Sequence, residues 1–293
     1  MYWFCGVNDN SQEHKEMYLT ALQSGITHTT LTPILIYDGT DELFCAEVIK
    51  HARLLRRKTL LYNKPAFSSQ TDEWKATACG AFLRIDIPVI CKELGITDEY
   101  VLYTDTDVIF MEDVVDDLQK YTPKFFSICP EKNTEDYIGF NSGVMLINVQ
   151  SMFDTYPQFV HFMENANYQF SAYDQGALQN FYYGHTERLP IIYNFKPYWG
   201  VDESAKIIHY HGPKYYLIME YLHNKHKIFH DLFEKVSTNG WLFYRFLYES
   251  TSEGFNWKTY LDKNPDLRQT GIYTQINAVL HYGMYGKKEG RSW

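Results

Sequence analysis

The apolar residues fall into short runs separated by amphipathic stretches, and over the first hundred residues the two alternate. Tyr2–Val7 is an apolar run that ends in the polar turn Asn8-Asp9-Asn10-Ser11. Gln12–Ser24 has helical spacing, with Gly25 placed as its stop. Thr32–Tyr37 is a second strand ending at Asp38-Gly39, Asp41–Arg57 a second helix, and Thr59–Tyr62 a third strand. Strands and helices in this order predict an α/β domain with a parallel, doubly wound sheet. Ligands of such sheets bind at the C-terminal strand ends, where strand order reverses.

Val101–Phe110 is the most telling run. It reads as one buried strand, rich in β-branched and aromatic residues, interrupted by Asp105 and Asp107. An unpaired carboxylate in such surroundings costs several kcal/mol, so a partner is expected there. Successive strand residues face opposite ways, which puts both carboxylates on one side with Cα atoms roughly 6.5 Å apart. That spacing suits one hard divalent cation holding a diphosphate. Asp-x-Asp as a turn or helix cap is the plainer alternative.

Further along, Phe125–Cys129 and Phe140–Val149 are apolar strands, the second opening with the small polar residues Asn141-Ser142-Gly143. Tyr173-Asp174-Gln175-Gly176 begins a helix with Asp174 as its N-cap. Leu189–Tyr193 and Ala205–His209 are strands, the latter running into His209-Tyr210-His211-Gly212-Pro213-Lys214. Tyr215–Glu249 is helical and aromatic; its stretch Trp241–Tyr248 packs on the core, with a membrane-facing surface as the alternative. Within it, His223, His226 and His230 have a spacing compatible with zinc but no evident fourth ligand. Phe255–Arg291 reads as a separate module of short helices and glycine turns. The basic cluster Arg53, Arg56, Arg57 and Lys58 is expected to complement the C-terminal dipole of the second helix.

Composition narrows the class. The 293 residues carry a net charge of −9, which argues against nucleic-acid binding, and 25 Tyr with 19 Phe supply ample core. No segment approaches the ~20 apolar residues of a membrane span. The N-terminus lacks a basic lead and long apolar run, and the five cysteines show no paired spacing. The expectation is a cytoplasmic protein, with peripheral contact at the inner membrane face left open by the aromatic helix.

Three blocks, in order, resemble glycosyltransferase family 8, the glycogenin- and lipopolysaccharide-galactosyltransferase-like enzymes. The first is Phe82-Leu83-Arg84-Ile85-Asp86-Ile87-Pro88 followed by Tyr103-Thr104-Asp105-Thr106-Asp107. The second is Phe140–Asn148 with Asp174-Gln175 downstream, and the third is His209–Lys214. Departures from the pattern are a third block one residue short and no Tyr after Asp9-Asn10. The tail resembles a small module seen in bacterial surface proteins and attached to some glycosyltransferases.

The resemblance implies a GT-A (Rossmann-like) domain over residues 1–220; beyond it the chain reads as a helical connector over 221–254 and the small module over 255–293. It also implies a metal-dependent enzyme that moves a sugar from a nucleotide-sugar donor, UDP-linked, to a glycan or glycolipid acceptor with retention. Asp105, Asp107 and His209 would ligate Mn²⁺ or Mg²⁺, the imidazole favouring Mn²⁺. The donor would contact Val7, Asn8, Asp9, Arg84, Asp86, Asp105, Thr106, Asn141, Ser142, Gly212 and Lys214, although Arg84 and Asp86 also suit a structural role. Gln175 and Asp174 would stand near the reacting carbon. An inverting enzyme would instead need a carboxylate base behind that carbon. Two other rivals remain: a haloacid-dehalogenase-like phosphatase with Asp105 as nucleophile and Asp107 as acid/base, and a catalytically dead scaffold that binds sugar.

Overall fold

The computed structural model describes residues 1–64, 67, 70–218 and 238–293. A seven-stranded sheet runs in the order β3-β2-β1-β4-β7-β6-β8. Strand β1 (Tyr2–Asn8) is parallel to β2 (Thr32–Asp38) on one side and to β4 (Tyr100–Thr104) on the other. The chain order therefore reverses at the β1/β4 crevice. Alternate residues serve two cores: Phe4, Ile34, Ile36 and Tyr103 pack on one face, Trp3, Cys5, Leu35 and Leu102 on the other. Burial on both faces explains why these strands read as continuous apolar runs.

Local expectations fail where tertiary contact overrides propensity. Helix α1 (Gln12–His28) does not stop at Gly25; a Cβ there would stand 2.8 Å from the Trp3 ring, so glycine admits the indole. The expected second helix is only α2 (Glu42–Val48), and Arg53–Arg56 is strand β3, parallel to β2. The basic cluster thus lies at a sheet edge, where Arg56 meets Glu42, Arg57 meets Asp86 and Lys58 meets Asp38. Residues expected as a third strand form a 3₁₀ turn, Leu60–Asn63.

Two helices, α3 (Asp72–Ala81) and α4 (Ile87–Glu93), flank the 3₁₀ turn Phe82–Asp86. The expected single strand over 101–110 is two strands. Beyond β4 the chain leaves the sheet at Asp105-Thr106-Asp107, and β5 (Val108–Phe110) pairs antiparallel with β9 (Ile207–His209) in a separate ribbon. The ladder stops where the carboxylates would otherwise enter the apolar interior.

Past the short helix α5 (Val115–Leu118), β6 (Phe126–Pro130) and β7 (Phe140–Asn148) are antiparallel to each other, and β7 to β4. Helix α6 (Val149–Asn165) is capped by Asn148, and α7 (Asp174–Phe181) follows. In place of the expected strand Leu189–Tyr193 there is the two-residue β8 (Glu187–Arg188) and a 3₁₀ turn, Ile191–Tyr193.

Helix α8 (Thr238–Ser252) buries Trp241, Phe243, Tyr244, Leu247 and Tyr248 against β9 and its neighbours, as the core alternative expected. Tyr248 stacks on Tyr215 with centroids 3.8 Å apart. The tail forms α9 (Trp257–Lys263), α10 (Asp266–Gln269) and α11 (Gln275–His281) around Tyr260, Leu261, Leu267, Ala278 and Tyr282. Helix α11 also buries Val279 in the same cluster as α8. His223, His226 and His230 lie outside the described residues. All five cysteines are buried free thiols, and no described helix is long and apolar enough to cross a membrane.

Candidate active site

A cavity of about 240 Å³ opens at the β1/β4 crevice, where the fold rule places ligands. Val7 and Asn8 from the end of β1, Asp105, Thr106 and Asp107 from the break after β4, Asn141 and Ser142 from the start of β7, and Arg84, Asp174, Gln175 and Lys214 all line it. His209 stands directly behind the two aspartates.

Ligand atoms of Asp105, Asp107 and His209 lie within 4.8 Å of one another. Backbone pairing fixes two of them, since His209 sits opposite Val108 in the ribbon and Tyr210 N–H donates to the Asp107 carbonyl (2.8 Å). The turn after β4, rather than the pleat of one strand, brings Asp105 to the same point. The His209 tautomer follows from its neighbours. Asn194 Nδ2 donates to Asn141 Oδ1 (3.0 Å), so Asn194 Oδ1 accepts from His209 Nδ1–H (2.8 Å). That leaves the Nε2 lone pair facing Asp107 Oδ1 at 3.2 Å and Asp105 Oδ2 at 3.9 Å. An imidazole lone pair and two carboxylates turned on one point repel unless a cation lies among them. The donor set fits Mn²⁺ well and Mg²⁺ less well.

Gly143 makes the approach possible. A Cβ at this position would lie 2.2 Å from His209 Cε1 and 2.8 Å from Asp105 Oδ2. Burial alone would raise the Asp107 carboxyl, but the Lys214 ammonium in contact with it holds it well below the usual carboxylate range. Lys214 reaches the cavity because Gly212 adopts φ +79° and turns the chain just beyond β9; Gly212 itself does not line the cavity.

Arg84 is buried beneath the floor. Its guanidinium pairs with Asp174 (Nε–Oδ2 2.5 Å), approaches Asp105 (3.4 Å), donates to the Ser142 carbonyl and lies 4.5 Å from the Tyr103 ring centroid. Asp174 is therefore an ion-pair partner and not a helix cap; the N-cap of α7 is Tyr173, with φ +56° and no side-chain bond. Burial pushes the Asp174 carboxyl up to about 7, and Arg84 only partly opposes this.

Gln175 is held at both ends of its amide. Its Oε1 accepts from Ser142 N–H (2.9 Å) and Ser142 Oγ (3.1 Å), and its Nε2 donates to Glu131 Oε2 (2.9 Å). Glu131 also accepts from Asn141 Nδ2 (3.2 Å) and pairs with His211 Nε2 (3.3 Å). Burial would raise its carboxyl, but the His211 contact leads the groups that bring it down to about 2.

Besides Gly212, two residues expected at the site point elsewhere. Asp86 turns to Arg57 (2.6 Å) and the Tyr156 hydroxyl (2.6 Å). Asp9 receives the Tyr37 hydroxyl and the Thr40 N–H (2.5 Å), which locks the β1 and β2 loops together. Among the lining residues that were not expected as donor contacts are two histidines and an acid: His14, His211 and Glu131. His14 occupies the first turn of α1, three residues past the position where the family-8 pattern carries a Tyr. Glu131 follows β6, which runs parallel to β4, so the strand-end rule pointed to it as well.

No protein-family model and no curated protein matches the chain by sequence. Solved structures match it by fold. The apo form of the glycosyltransferase GlyE from Streptococcus pneumoniae TIGR4 is 19% identical over 71% of this chain and 53% of GlyE, with a TM-score of 0.52. The galactosyltransferase LgtC, solved with donor and acceptor sugar analogues, is 17% identical over 73% of this chain and 88% of LgtC, with a TM-score of 0.52. Mouse xyloside xylosyltransferase 1 in its apo form is 14% identical over 72% of this chain and 96% of its own length, with a TM-score of 0.50. The chain thus spans about half of GlyE. It has the GT-A fold of these glycosyltransferases.

Proposed function

We propose that this GT-A chain is a metal-dependent glycosyltransferase that moves a sugar from a nucleotide-sugar donor, UDP-linked, to a hydroxyl of a glycan or glycolipid. The observation that carries the reading is the convergence of Asp105, Asp107 and the Nε2 lone pair of His209 at the switch-point cavity. These three would hold Mn²⁺, which when bound supplies positive charge to the diphosphate leaving group.

The chain's own residues divide the remaining work. Lys214, already in the cavity, is the mobile cation for the diphosphate. Asn8 uses its amide on Ala76 O (2.7 Å) and Asn10 N–H (2.9 Å), so it shapes the pocket wall beside His14. Gln175 and Asn141 present fixed amides to the sugar, which penalises a hydroxyl in the wrong configuration. Asp174 and Arg84 neutralise each other beneath the sugar and keep water out.

Retention of configuration fits the carboxylates better than inversion. An inverting enzyme needs an unengaged carboxylate base. Among the described residues, those lining the cavity are Asp105, Asp107, Asp174 and Glu131. The first two belong to the metal, Asp174 is paired with Arg84, and Glu131 is held at about 2 with every oxygen engaged. The same fold likeness favours the transferase over the phosphatase reading.

The test is titration calorimetry of UDP, GDP and CMP with and without Mn²⁺, on the wild type and Asp107→Ala. Manganese-dependent binding of one nucleoside diphosphate, abolished in the variant, supports the proposal. Binding of none of them, with turnover of a generic phosphomonoester, overturns it.

A further inference from the structure

A second cavity, of about 400 Å³, lies on the far side of α1 from the candidate active site. It opens between the C-terminal half of α1, the end of α8 and the start of the tail. Its position follows from helix geometry. His14 in the first turn of α1 lines the catalytic cavity, whereas Gln23, Thr27 and His28 line this one. About 13 residues at 1.5 Å each separate the two by roughly 20 Å along the helix. We propose that this second cavity binds a neutral oligosaccharide.

Unspent hydrogen-bonding groups converge here. Ser250 is only 4% exposed, yet its hydroxyl makes no hydrogen bond among the described residues. The Gln275 amide, the Trp257 indole N–H and the His28 ring line the same space and are likewise without a hydrogen bond among the described residues. Asn256 uses only its Oδ1, which caps α9 by accepting from Lys258 N–H and Thr259 N–H. These groups have no partner within the described protein, and a ligand rich in hydroxyls would pair with them in place of water.

The lining also selects the ligand class. Neutral amides and hydroxyls predominate, and the single acid, Glu112, is offset by the single cation, Lys258. His28 is held neutral, by burial first and by Lys258 second. A phosphate or a strongly charged peptide would find no matching charge, and a lipid chain would strand the polar groups. Trp257 and Phe255 supply the remaining requirement. The C–H face of a pyranose is electron-poor and stacks on the electron-rich face of an indole. Trp257, with the Lys258 ammonium 5.5 Å from its ring centroid, stands among amides and hydroxyls, a combination that suits a neutral sugar.

This site stands on its own geometry, and the test separates it from the donor site. Saturation-transfer NMR on the full chain would use tri- and tetrasaccharides of glucose, galactose, mannose, N-acetylglucosamine and N-acetylgalactosamine at millimolar concentration. At least one should receive magnetisation, and excess UDP with Mn²⁺ should not displace it. Trp257→Ala should abolish the signal. Gln275→Ala should weaken binding about tenfold, the effect of one lost hydrogen bond. This variant keeps the test valid if Trp257→Ala loosens the tail, because the Gln275 side chain makes no bond that holds the fold. The proposal fails if no saccharide binds, if nucleotide displaces the signal, or if Gln275→Ala leaves the affinity unchanged.

Discussion

Replacing Gly143 by alanine adds one methyl group where the candidate metal site is tightest. The new Cβ would stand 2.2 Å from His209 Cε1 and 2.8 Å from both His209 Nδ1 and Asp105 Oδ2. Ordinary contact between carbon atoms begins at about 3.5 Å, so the ring must retreat by roughly 1.3 Å. His209 is 1% exposed and tied to Asn194, so the shift cannot be absorbed by solvent. Metal sites tolerate ligand displacements of about 0.2 Å, which the retreat exceeds several-fold. Overpacking of this kind costs about 1–3 kcal/mol, so the melting temperature should fall by several degrees while the fold survives. Calorimetry with UDP and Mn²⁺ should show binding weakened at least ~100-fold, since loss of a ligand exceeds the ~10–100-fold cost of disturbing its support. Gly139→Ala is the control, because its Cβ meets nothing nearer than 3.4 Å. If Gly143→Ala binds Mn²⁺ and UDP as the wild type does, the placement of the metal between His209 and the aspartates is wrong.

Other outcomes follow from the same contacts. Glu131→Ala removes one of the two anchors of the Gln175 amide; turnover should fall ~10–100-fold while UDP affinity holds, measured as kcat against KM with matched calorimetry. An equal loss in KM alone would contradict the assigned role. Arg84→Met strands Asp174 and should cost about 3–5 kcal/mol, read from urea unfolding. Lys196 is fully buried, with its ammonium on the Pro130 carbonyl (2.7 Å), and burial pushes its pKa down to about 7. The unfolded chain then binds the extra proton between about pH 7 and 10.5, so this group makes the protein more stable as pH rises through that window. Lys196→Met should flatten that rise and stabilise the protein by ~1–4 kcal/mol at pH 6, and unchanged pH profiles would refute it. Asp86→Asn should leave nucleotide binding intact and lower stability only, through its contacts with Arg57 and Tyr156.

The sequence displays the alternation of strand and helix around β1 and β2 because those strands are buried on both faces and must be apolar throughout. The Asp-x-Asp pair was legible for the opposite reason: carboxylates amid Val, Ile and Phe need an explanation. What stayed hidden depends on contacts between distant residues. Arg53-Leu54-Leu55-Arg56 carries no strand signature, and it becomes β3 only because β2 offers it a free edge. Gly25 looks like a helix stop until Trp3, 22 positions earlier, is seen to need its missing side chain. Asp174 resembles a cap because nothing local announces Arg84, 90 residues away. Asp86 and Asp9 illustrate the converse error, since proximity to a motif in sequence gave no guide to where their carboxylates point.

The ribbon that carries Asp107 and His209 has a kinetic consequence. Its register joins Val108 to His209 across about 100 residues of intervening chain, with most of the large sheet's second half between them. Contacts of such long range close late, because the loop entropy they incur is repaid only after the intervening elements have packed. The candidate metal ligands are therefore assembled by one of the last events on the folding route. Manganese affinity becomes a stopwatch: in a stopped-flow refolding experiment it should emerge with the slowest phase, well after helix and sheet signals have returned, and it marks the moment at which the chain has finished folding.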